Sequence, residues 1–422
     1  MKWRGLLHNT TPDTADFLAS KKVKGYIGFD PTSDSLHIGS LLQLIILKHF
    51  QNSGHQPVVL IGGATGMVGD PSGKSKERNL LTEEQLSANI KEILRQIDKY
   101  VDFERPKNPA ILVNNYDWMK PFSLIDFVRD IGKHITVNYM MAKDSVKKRI
   151  STQDSEGMSF TEFTYQLFQG YDFLHLYENN NCKLQMGGSD QWGNITTGIE
   201  LIRRKTGGRA HGLTIKLLKK ADGNKFGKTE QDNIWLDPEK TSPYKFYQYW
   251  INSSDEDAEN FIKIFTFLDR ETIKNIVSEH REKPHLRLLQ KHLAKEVTTL
   301  VHSKQEWEKV QRASEILFGK ATESDLKKLD ERTFADVFEG IPRKTLPFLE
   351  LNQGMDMILA LSVKTGFLNS NSEAIRNLKD NAISVNKKKV DSSYRLSKRD
   401  LINGKYILLQ RGKRHYFILH FD

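Results

Sequence analysis

The sequence predicts an α/β protein built on a largely parallel, helix-covered sheet. Three observations carry this. Short β-rich apolar runs alternate with helical periodicity through the first two hundred or so residues. The candidate strands are separated by helical or loop sequence rather than by hairpin turns. The 422-residue length exceeds one ordinary core, so two or three domains are expected.

The first strand spans Tyr26 to Asp30, a helix starts near Ile38, and a second strand runs from Val58 to Gly63, a βαβ pattern. Further strands are expected at Ala110 to Asn114, Lys183 to Gly187 and Leu213 to Leu218. Active sites on such sheets lie past the strand C-termini. Residues 1–242 are therefore assigned to the sheet domain. Residues 243–320 have helical periodicity, abundant charge and few strand signals, as a small helical domain would. Residues 321–354 are mixed and expected as a linker. Residues 355–422 hold two short amphipathic helical stretches, then β-like runs such as Ala382 to Val385 and Tyr406 to Leu409.

No apolar run reaches the eighteen or so residues of a membrane span, and Met1, Lys2, Trp3 and Arg4 lead into polar sequence. Cys182 is the single cysteine, so it has no disulfide partner and leaves too little sulfur for a structural zinc site. Cytoplasm, with no membrane association, is the expectation. The formal charge is +10, and from Met355 to Asp422 thirteen Lys and Arg stand against six Asp and Glu, a balance of +7. That concentration points to a polyanion partner for the last segment.

Five constellations carry candidate chemistry. In Tyr26-Ile27-Gly28-Phe29-Asp30-Pro31-Thr32-Ser33-Asp34-Ser35-Leu36-His37-Ile38-Gly39-Ser40, a strand end and a turn precede a His-x-Gly element that opens a helix. Free N–H groups and the helix dipole attract phosphate at such a place. In Gly62-Gly63-Ala64-Thr65-Gly66-Met67-Val68-Gly69-Asp70-Pro71-Ser72-Gly73-Lys74, glycines let backbone approach a ligand, and Lys74, Lys76 and Arg78 can reach an anion. An ordinary flexible turn would look similar, and the spacing is not that of a P-loop.

A helix expected from Phe160 to Tyr177 places Phe163, Leu167, Tyr171 and Leu174 on a core-facing stripe. Tyr165, Gln169 and Asp172 form a second, polar stripe that either faces solvent or lines a pocket. Gly187-Gly188-Ser189-Asp190-Gln191-Trp192-Gly193-Asn194 again runs from strand to helix, where Asp190 could simply cap. Lys225-Phe226-Gly227-Lys228-Thr229 places two ammonium groups around a glycine in a loop, suited to polyphosphate oxygens.

The His-Ile-Gly element paired with the later Lys-Phe-Gly-Lys-Thr loop resembles the two nucleotide signatures of class I aminoacyl-tRNA synthetases. Within that class the chain resembles the bacterial-type tyrosyl enzymes, through Tyr26 to Gly39, Gly62 to Lys74, Asn114-Asn115-Tyr116-Asp117-Trp118, Ser159 to Asp172, Gly187 to Asn194 and Lys225 to Thr229. The resemblance implies a Rossmann-like catalytic domain, then a helical domain and a small α+β RNA-binding domain. It implies that ATP and L-tyrosine form tyrosyl-adenylate and that the tyrosyl group passes to the 3′ end of tRNA(Tyr).

By the same resemblance, Tyr26 and Asp172 bind the substrate phenol, while Tyr165, Gln169 and Asp70 hold its ammonium group. Asn115 and Gln191 match further substrate positions, and Gly28, Asp30, Gly39 and Asp190 match positions around ribose and adenylate. Thr32 and His37 contact the departing phosphates, with Lys74, Arg78, Lys225 and Lys228 closing over them. Mg²⁺ is implied as the counterion of ATP with no dedicated protein site, and a homodimer is implied as the assembly. Because an unpaired buried polar group already rejects phenylalanine, no editing domain is expected.

Two positions depart from the family pattern. Ser40 stands where the fuller signature has a second histidine, and Ile27 where many bacterial relatives carry cysteine.

The basic last segment resembles an RNA-binding domain shared with a small-subunit ribosomal protein, through Ser372-Glu373-Ala374-Ile375-Arg376 and Ile383-Ser384-Val385-Asn386. Arg376, Lys379, Lys387, Lys388, Lys389, Arg395 and Arg411 are its candidate phosphate contacts. A tryptophanyl relative, a non-catalytic RNA-binding or splicing protein on a synthetase scaffold, and a nucleotidyltransferase of the same superfamily are the competing readings. Tyr26 with Asp172 speaks against the first. Retention of His37 and the lysine loop speaks against the second, and the tyrosine pocket with its RNA-binding appendage against the third.

Overall fold

The computed structural model describes residues 1–72, 81–144, 146–147, 158–221, 226–227, 233–318, 322–412 and 415–422. Two compact units emerge, Met1–Thr241 with Ser253–Leu293, and Ser242–Asn252 with Ala294–Asp422.

The first unit is organised by a six-stranded sheet in the order β1-β6-β5-β2-β3-β4. Its strands are β1 Leu7–Thr10, β2 Lys24–Phe29, β3 Gln56–Ile61, β4 Ile111–Asn114, β5 Cys182–Gly188 and β6 His211–Ile215. β2 through β6 pair in parallel, whereas β1 adds to the edge of β6 in antiparallel register. The parallel strands are apolar because helices cover both faces of such a sheet. Val58 and Val59 of β3 and Leu184 of β5 have no exposed surface. Of the expected strands, that near residue 213 is shorter than its apolar run, ending at Ile215.

Helix Ile38–Asn52 follows β2 and buries Leu41, Leu44, Ile45 and Leu47. Helix Phe160–Asn180 starts at Ser159 with a reciprocal capping box to Glu162. It buries residues on more than one face, Tyr165 and Asp172 as well as Leu167 and Leu174. Tyr165 and Asp172 of the polar stripe are therefore enclosed rather than solvated, and Gln169 is half-buried. Tyr26, Phe173, Leu174 and Leu176 share a buried cluster with Cys182 and Leu201. Helix Trp192–Thr206 lies against the long helix where Gly170 meets Gly198; a Cβ on Gly198 would come within 3.0 Å of Phe173.

The N-terminal strand is preceded by a buried arginine. Arg4 donates to the carbonyls of Lys263, Thr266 and Leu268, satisfying acceptors at and beyond the end of helix Asp255–Phe265.

In the second unit a five-stranded sheet has the order β10-β9-β12-β13-β7. These strands are β7 Arg343–Leu346, β9 Ile383–Val385, β10 Lys388–Lys389, β12 Tyr406–Arg411 and β13 His415–Phe421. β8 Met355–Asp356 pairs separately with β11 Arg395–Leu396. The stretch expected as a linker carries helices Glu323–Lys327 and Glu331–Val337, and its β7 pairs in parallel with β13. Leu361, Ala374, Ile383, Leu409 and Leu419 close the core over this sheet. Among the described residues no helix is long and apolar enough to cross a membrane.

Replacing Arg4 with methionine keeps the bulk and removes three charge-assisted bonds, and should cost roughly 2–4 kcal/mol. An unchanged first transition in urea unfolding would contradict this role for Arg4.

Candidate active site

Because β2, β3, β4 and β5 run parallel, the residues just past their C-terminal ends gather along one edge of the sheet. Asp30 follows β2, Gly62 and Gly63 follow β3, and Asn115 follows β4. The loops are tied to one another. Asn115 N–H donates to Ile61 O at 3.1 Å, and Asn115 Oδ1 accepts from Ala64 N at 2.7 Å. Gly63 N donates to Asn114 Oδ1 at 3.2 Å. A side chain at Gly62 would strike Asp30 Oδ1 and Thr65 Oγ1, and one at Gly63 would strike Asn114 Oδ1.

Asp172 lies at the closed end, 2% exposed. Trp118 Nε1 donates to its Oδ1 at 2.8 Å and Asn115 Nδ2 to its Oδ2 at 3.0 Å. Burial pushes its carboxyl up to about 8, working against these two bonds. Tyr26 is 1% exposed, and its hydroxyl has no hydrogen-bond partner among the described residues. Burial and then the Asp172 charge raise the Tyr26 phenol well above its ordinary range. An orphaned hydroxyl within the field of a buried carboxylate can donate to a ligand oxygen whose own proton that carboxylate accepts.

Tyr165 donates to Asp30 Oδ2 at 2.7 Å. Burial raises its phenol well above the usual value, followed by the charges of Asp30 and Asp70, the Asp30 bond and the charge of Asp172. Three carboxylates thus surround one phenol. Neither Asp70 nor Asp172 forms an ion pair among the described residues. Such an arrangement of acidic groups favours an ammonium group.

Asp70 Oδ1 accepts from Ser72 N at 2.9 Å, and its Oδ2 accepts from Gln191 Nε2 at 2.7 Å. Asn194 Nδ2 donates to Gln169 Oε1 at 2.8 Å. Asp190 accepts from Gln191 at 3.3 Å; burial raises its carboxyl, and that bond lowers it. Asp70, Gln169, Asp190 and Gln191 therefore belong to one polar wall.

The phosphate-seeking elements also meet. His37 precedes helix Ile38–Asn52 and its Nδ1 accepts from Gly39 N at 2.9 Å, which leaves the proton of the neutral ring on Nε2. Gly227 adopts φ +86°, and a Cβ there would sit 3.2 Å from Ile38 and 3.9 Å from Gly39 N. Phe226 stacks on Phe265 at 5.3 Å. The centre of the second signature therefore lies against the helix opened by the first. Thr32 is exposed, and its N–H donates to Asp30 O at 2.8 Å. Gly28 opens to the sheet surface, with Leu60 at 3.6 Å from where a Cβ would be. Lys74, Arg78, Lys225 and Lys228 lie outside the described residues.

Trp118, Thr65, Ser72 and Asn194 enter the site although sequence reasoning gave them no role. Trp118 stands three residues after Asn115 at the end of the short helix Tyr116–Met119, and that spacing is the one signal that could have been used.

In the second unit the candidate phosphate contacts divide. Lys387 donates to Tyr416 OH at 2.8 Å, Lys389 to Asn381 O at 2.7 Å, Arg395 to Gly354 O at 3.1 Å and Arg411 to Glu373 at 2.9 Å. Arg376, Lys379 and Lys388 are exposed. Asn386 and Lys387, at φ 48° and 70°, form the left-handed turn that presents Lys388.

A family model described as tRNA synthetases class I (W and Y) matches residues 19–319, and one described as Tyrosine--tRNA ligase SYY-like C-terminal domain matches residues 334–419. The chain is 59% identical to a tyrosine–tRNA ligase of Flavobacterium johnsoniae, covering 99% of this chain and 98% of that protein. It is 56% identical to one of Bacteroides fragilis at the same coverage. Among solved structures it is similar to a C-terminally truncated mitochondrial tyrosyl-tRNA synthetase of Aspergillus nidulans, with a TM-score of 0.66 and 32% identity over 73% of this chain and 90% of that one. The chain belongs to the tyrosine–tRNA ligases, a family of class I aminoacyl-tRNA synthetases.

Proposed function

We propose that this chain activates L-tyrosine with ATP and transfers the tyrosyl group to the 3′ end of tRNA(Tyr), and that Tyr26 and Asp172 select the amino acid. The observation that carries the pocket assignment is the buried Tyr26 hydroxyl, without a partner among the described residues, beside a carboxylate held by Asn115 and Trp118. A tyrosine phenol completes this arrangement by accepting from Tyr26 and donating to Asp172. Phenylalanine leaves both groups unpaired. Asp70, Tyr165 and Gln169 receive the substrate ammonium, with Gln191 alongside. Asp30, Asp190, Gly28 and Gly39 face ribose and phosphate.

The tyrosine carboxylate attacks the α-phosphorus of ATP and pyrophosphate departs with the electron pair of the cleaved P–O bond. A ribose hydroxyl of the tRNA end then attacks the acyl carbon and releases AMP. Neither step needs a protein nucleophile, so catalysis rests on positioning and on stabilising charge as it develops. His37 Nε2–H and Thr32 are assigned to the departing phosphates, with Lys74, Arg78, Lys225 and Lys228 supplying compensating positive charge. Mg²⁺ accompanies ATP, held by phosphate and water.

Arg376, Lys379 and Lys388 are the first-choice tRNA phosphate contacts, because they are exposed and their side chains make no hydrogen bond or ion pair among the described residues. Lys387, Lys389, Arg395 and Arg411 exchange an existing bond to reach phosphate. A homodimer in the cytoplasm is the proposed state. Its support is an apolar surface on helix Leu124–Asp130, where Leu124 is 76% and Ile125 77% exposed, together with Phe160 at 79%. Phe127, on the same helix, stacks on Phe168 at 4.9 Å.

Pyrophosphate exchange into ATP should depend on tyrosine and show little response to tryptophan or phenylalanine; exchange with tryptophan alone refutes the assignment. Asp172→Asn should lower kcat/KM for tyrosine about 10- to 100-fold, leaving the weak phenylalanine reaction nearly unchanged. A proton on Asp172 competes with the substrate hydroxyl for the same lone pair, so kcat/KM for tyrosine should fall as pH drops below about 8. A profile identical to that of Asp172→Asn would exclude this group as its origin. Charge reversal at Arg376, Lys379 and Lys388 together should depress tRNA charging and spare exchange; equal charging by the variant removes these residues from the RNA surface. Sedimentation should return twice the 48.6 kDa chain mass, and Ile125→Asp should halve it.

A further inference from the structure

Thr65 bonds both to Asp30 and to Asn115, which holds Asp172. Its Oγ1 donates to Asp30 Oδ1 at 2.7 Å and accepts from Asn115 Nδ2 at 2.9 Å. Asn115 Nδ2 spends its other proton on Asp172 Oδ2, and Asn115 Oδ1 is occupied by Ala64 N–H. Thr65 is 2% exposed and Asn115 fully buried, so water does not replace these bonds without rearrangement.

We infer that Thr65 is a positioning residue for tyrosine recognition, fixing the direction of a hydrogen-bond chain that runs from Asp30 through Thr65 and Asn115 to Asp172. This rests on the assignment of Tyr26 and Asp172 to the substrate phenol. The physical reason is a matching of donors and acceptors. A hydroxyl has one proton, and Asp30 takes it. What remains toward Asn115 is a lone pair, which demands the amide nitrogen there. With the nitrogen on that side, the second N–H must face Asp172.

A flipped amide would set its oxygen against both the Asp172 carboxylate and the Thr65 oxygen, and its N–H₂ against Ala64 N–H. The hydroxyl at position 65 thereby keeps an N–H, never a carbonyl, on Asp172 Oδ2. It leaves that carboxylate as the acceptor that a phenol requires. Gly62 preserves the arrangement, since any Cβ there meets both Asp30 and Thr65.

Thr65→Val retains the shape and deletes the hydroxyl, whereas Thr65→Ser retains the hydroxyl and deletes a methyl. Steady-state pyrophosphate exchange with tyrosine and with phenylalanine, on the full chain, separates the roles. The expected result for Thr65→Val is a KM for tyrosine raised about 10-fold, a smaller change in kcat, and a tyrosine-over-phenylalanine preference reduced by a similar factor. The reaction with phenylalanine should be nearly unaltered, and Thr65→Ser should recover to within about threefold of the parent.

Loss of activity by the same factor with both amino acids, or a serine variant as impaired as the valine one, overturns the inference and leaves Thr65 a packing residue. Should the valine variant fail to fold, Thr65→Ala, which places no methyl against Asp30, is read by the same ratio. A parent enzyme without tyrosine-dependent exchange fails earlier and sinks the phenol pocket itself. A tyrosine-selective parent whose Thr65→Val variant keeps its selectivity refutes the positioning role alone.

Discussion

The site depends on holding one carboxyl group inside an apolar core, where burial pushes it up to about 8 and two N–H donors work toward its charged form. Asp172 is buried on a helix whose neighbouring residues Phe173, Leu174 and Leu176 pack into the same cluster as Tyr26. An unsolvated carboxylate there would lose its charge or destabilise the fold. Two N–H donors oppose this, one from Trp118 and one from Asn115, and both come from the chain following β4. The conformation of that loop, and of the β3 loop bonded to it through Ala64 and Thr65, is therefore a condition for the charge. The remaining lone pair on each oxygen is what a substrate can use.

The same constraint accounts for the distribution of charge. The chain is basic overall, yet Asp30, Asp70 and Asp190, in loops past strand ends, are collected with Asp172 of helix Phe160–Asn180. Their collection raises the ionisation ranges of Tyr165 and Asp190, each chiefly by burial and then by neighbouring carboxylates, offset for Asp190 by its Gln191 bond. A ligand that brings an ammonium group and a phenol relieves this imbalance. At the other end the described groups are of the opposite character, the backbone N–H groups that open helix Ile38–Asn52 and the His37 ring, which suit a ligand that brings its own negative charge.

Much of this architecture was legible beforehand. β2, β3, β5 and β6 were visible as apolar runs because a parallel strand inside the sheet is buried on both faces, and β4 was visible although it lies at the sheet edge because its residues Ile111, Leu112 and Val113 are all apolar. β1 and β7 were not, because they are edge strands of mostly polar residues: Leu7–Thr10 alternates in burial over four residues, and three of the four residues in Arg343–Leu346 are exposed. An edge strand borrows its stability from the neighbour it pairs with, and that neighbour is distant in sequence. The polar stripe on helix Phe160–Asn180 was visible as spacing, but spacing alone does not separate a solvated face from a pocket wall.

What the sequence by itself determined is the order of elements, the placing of glycines and acids at strand ends, and the two signatures that mark the family. These are local consequences of periodicity and turn chemistry, and they survive without knowing any contact. Tertiary structure alone decided that Trp118 and Asn115 hold Asp172, that Thr65 joins Asn115 to Asp30, and that Gly227 comes to rest on the helix behind His37. The reason is the directionality of hydrogen bonds. Which proton goes to which lone pair is set only when residues far apart in the chain are brought within about 3 Å of one another.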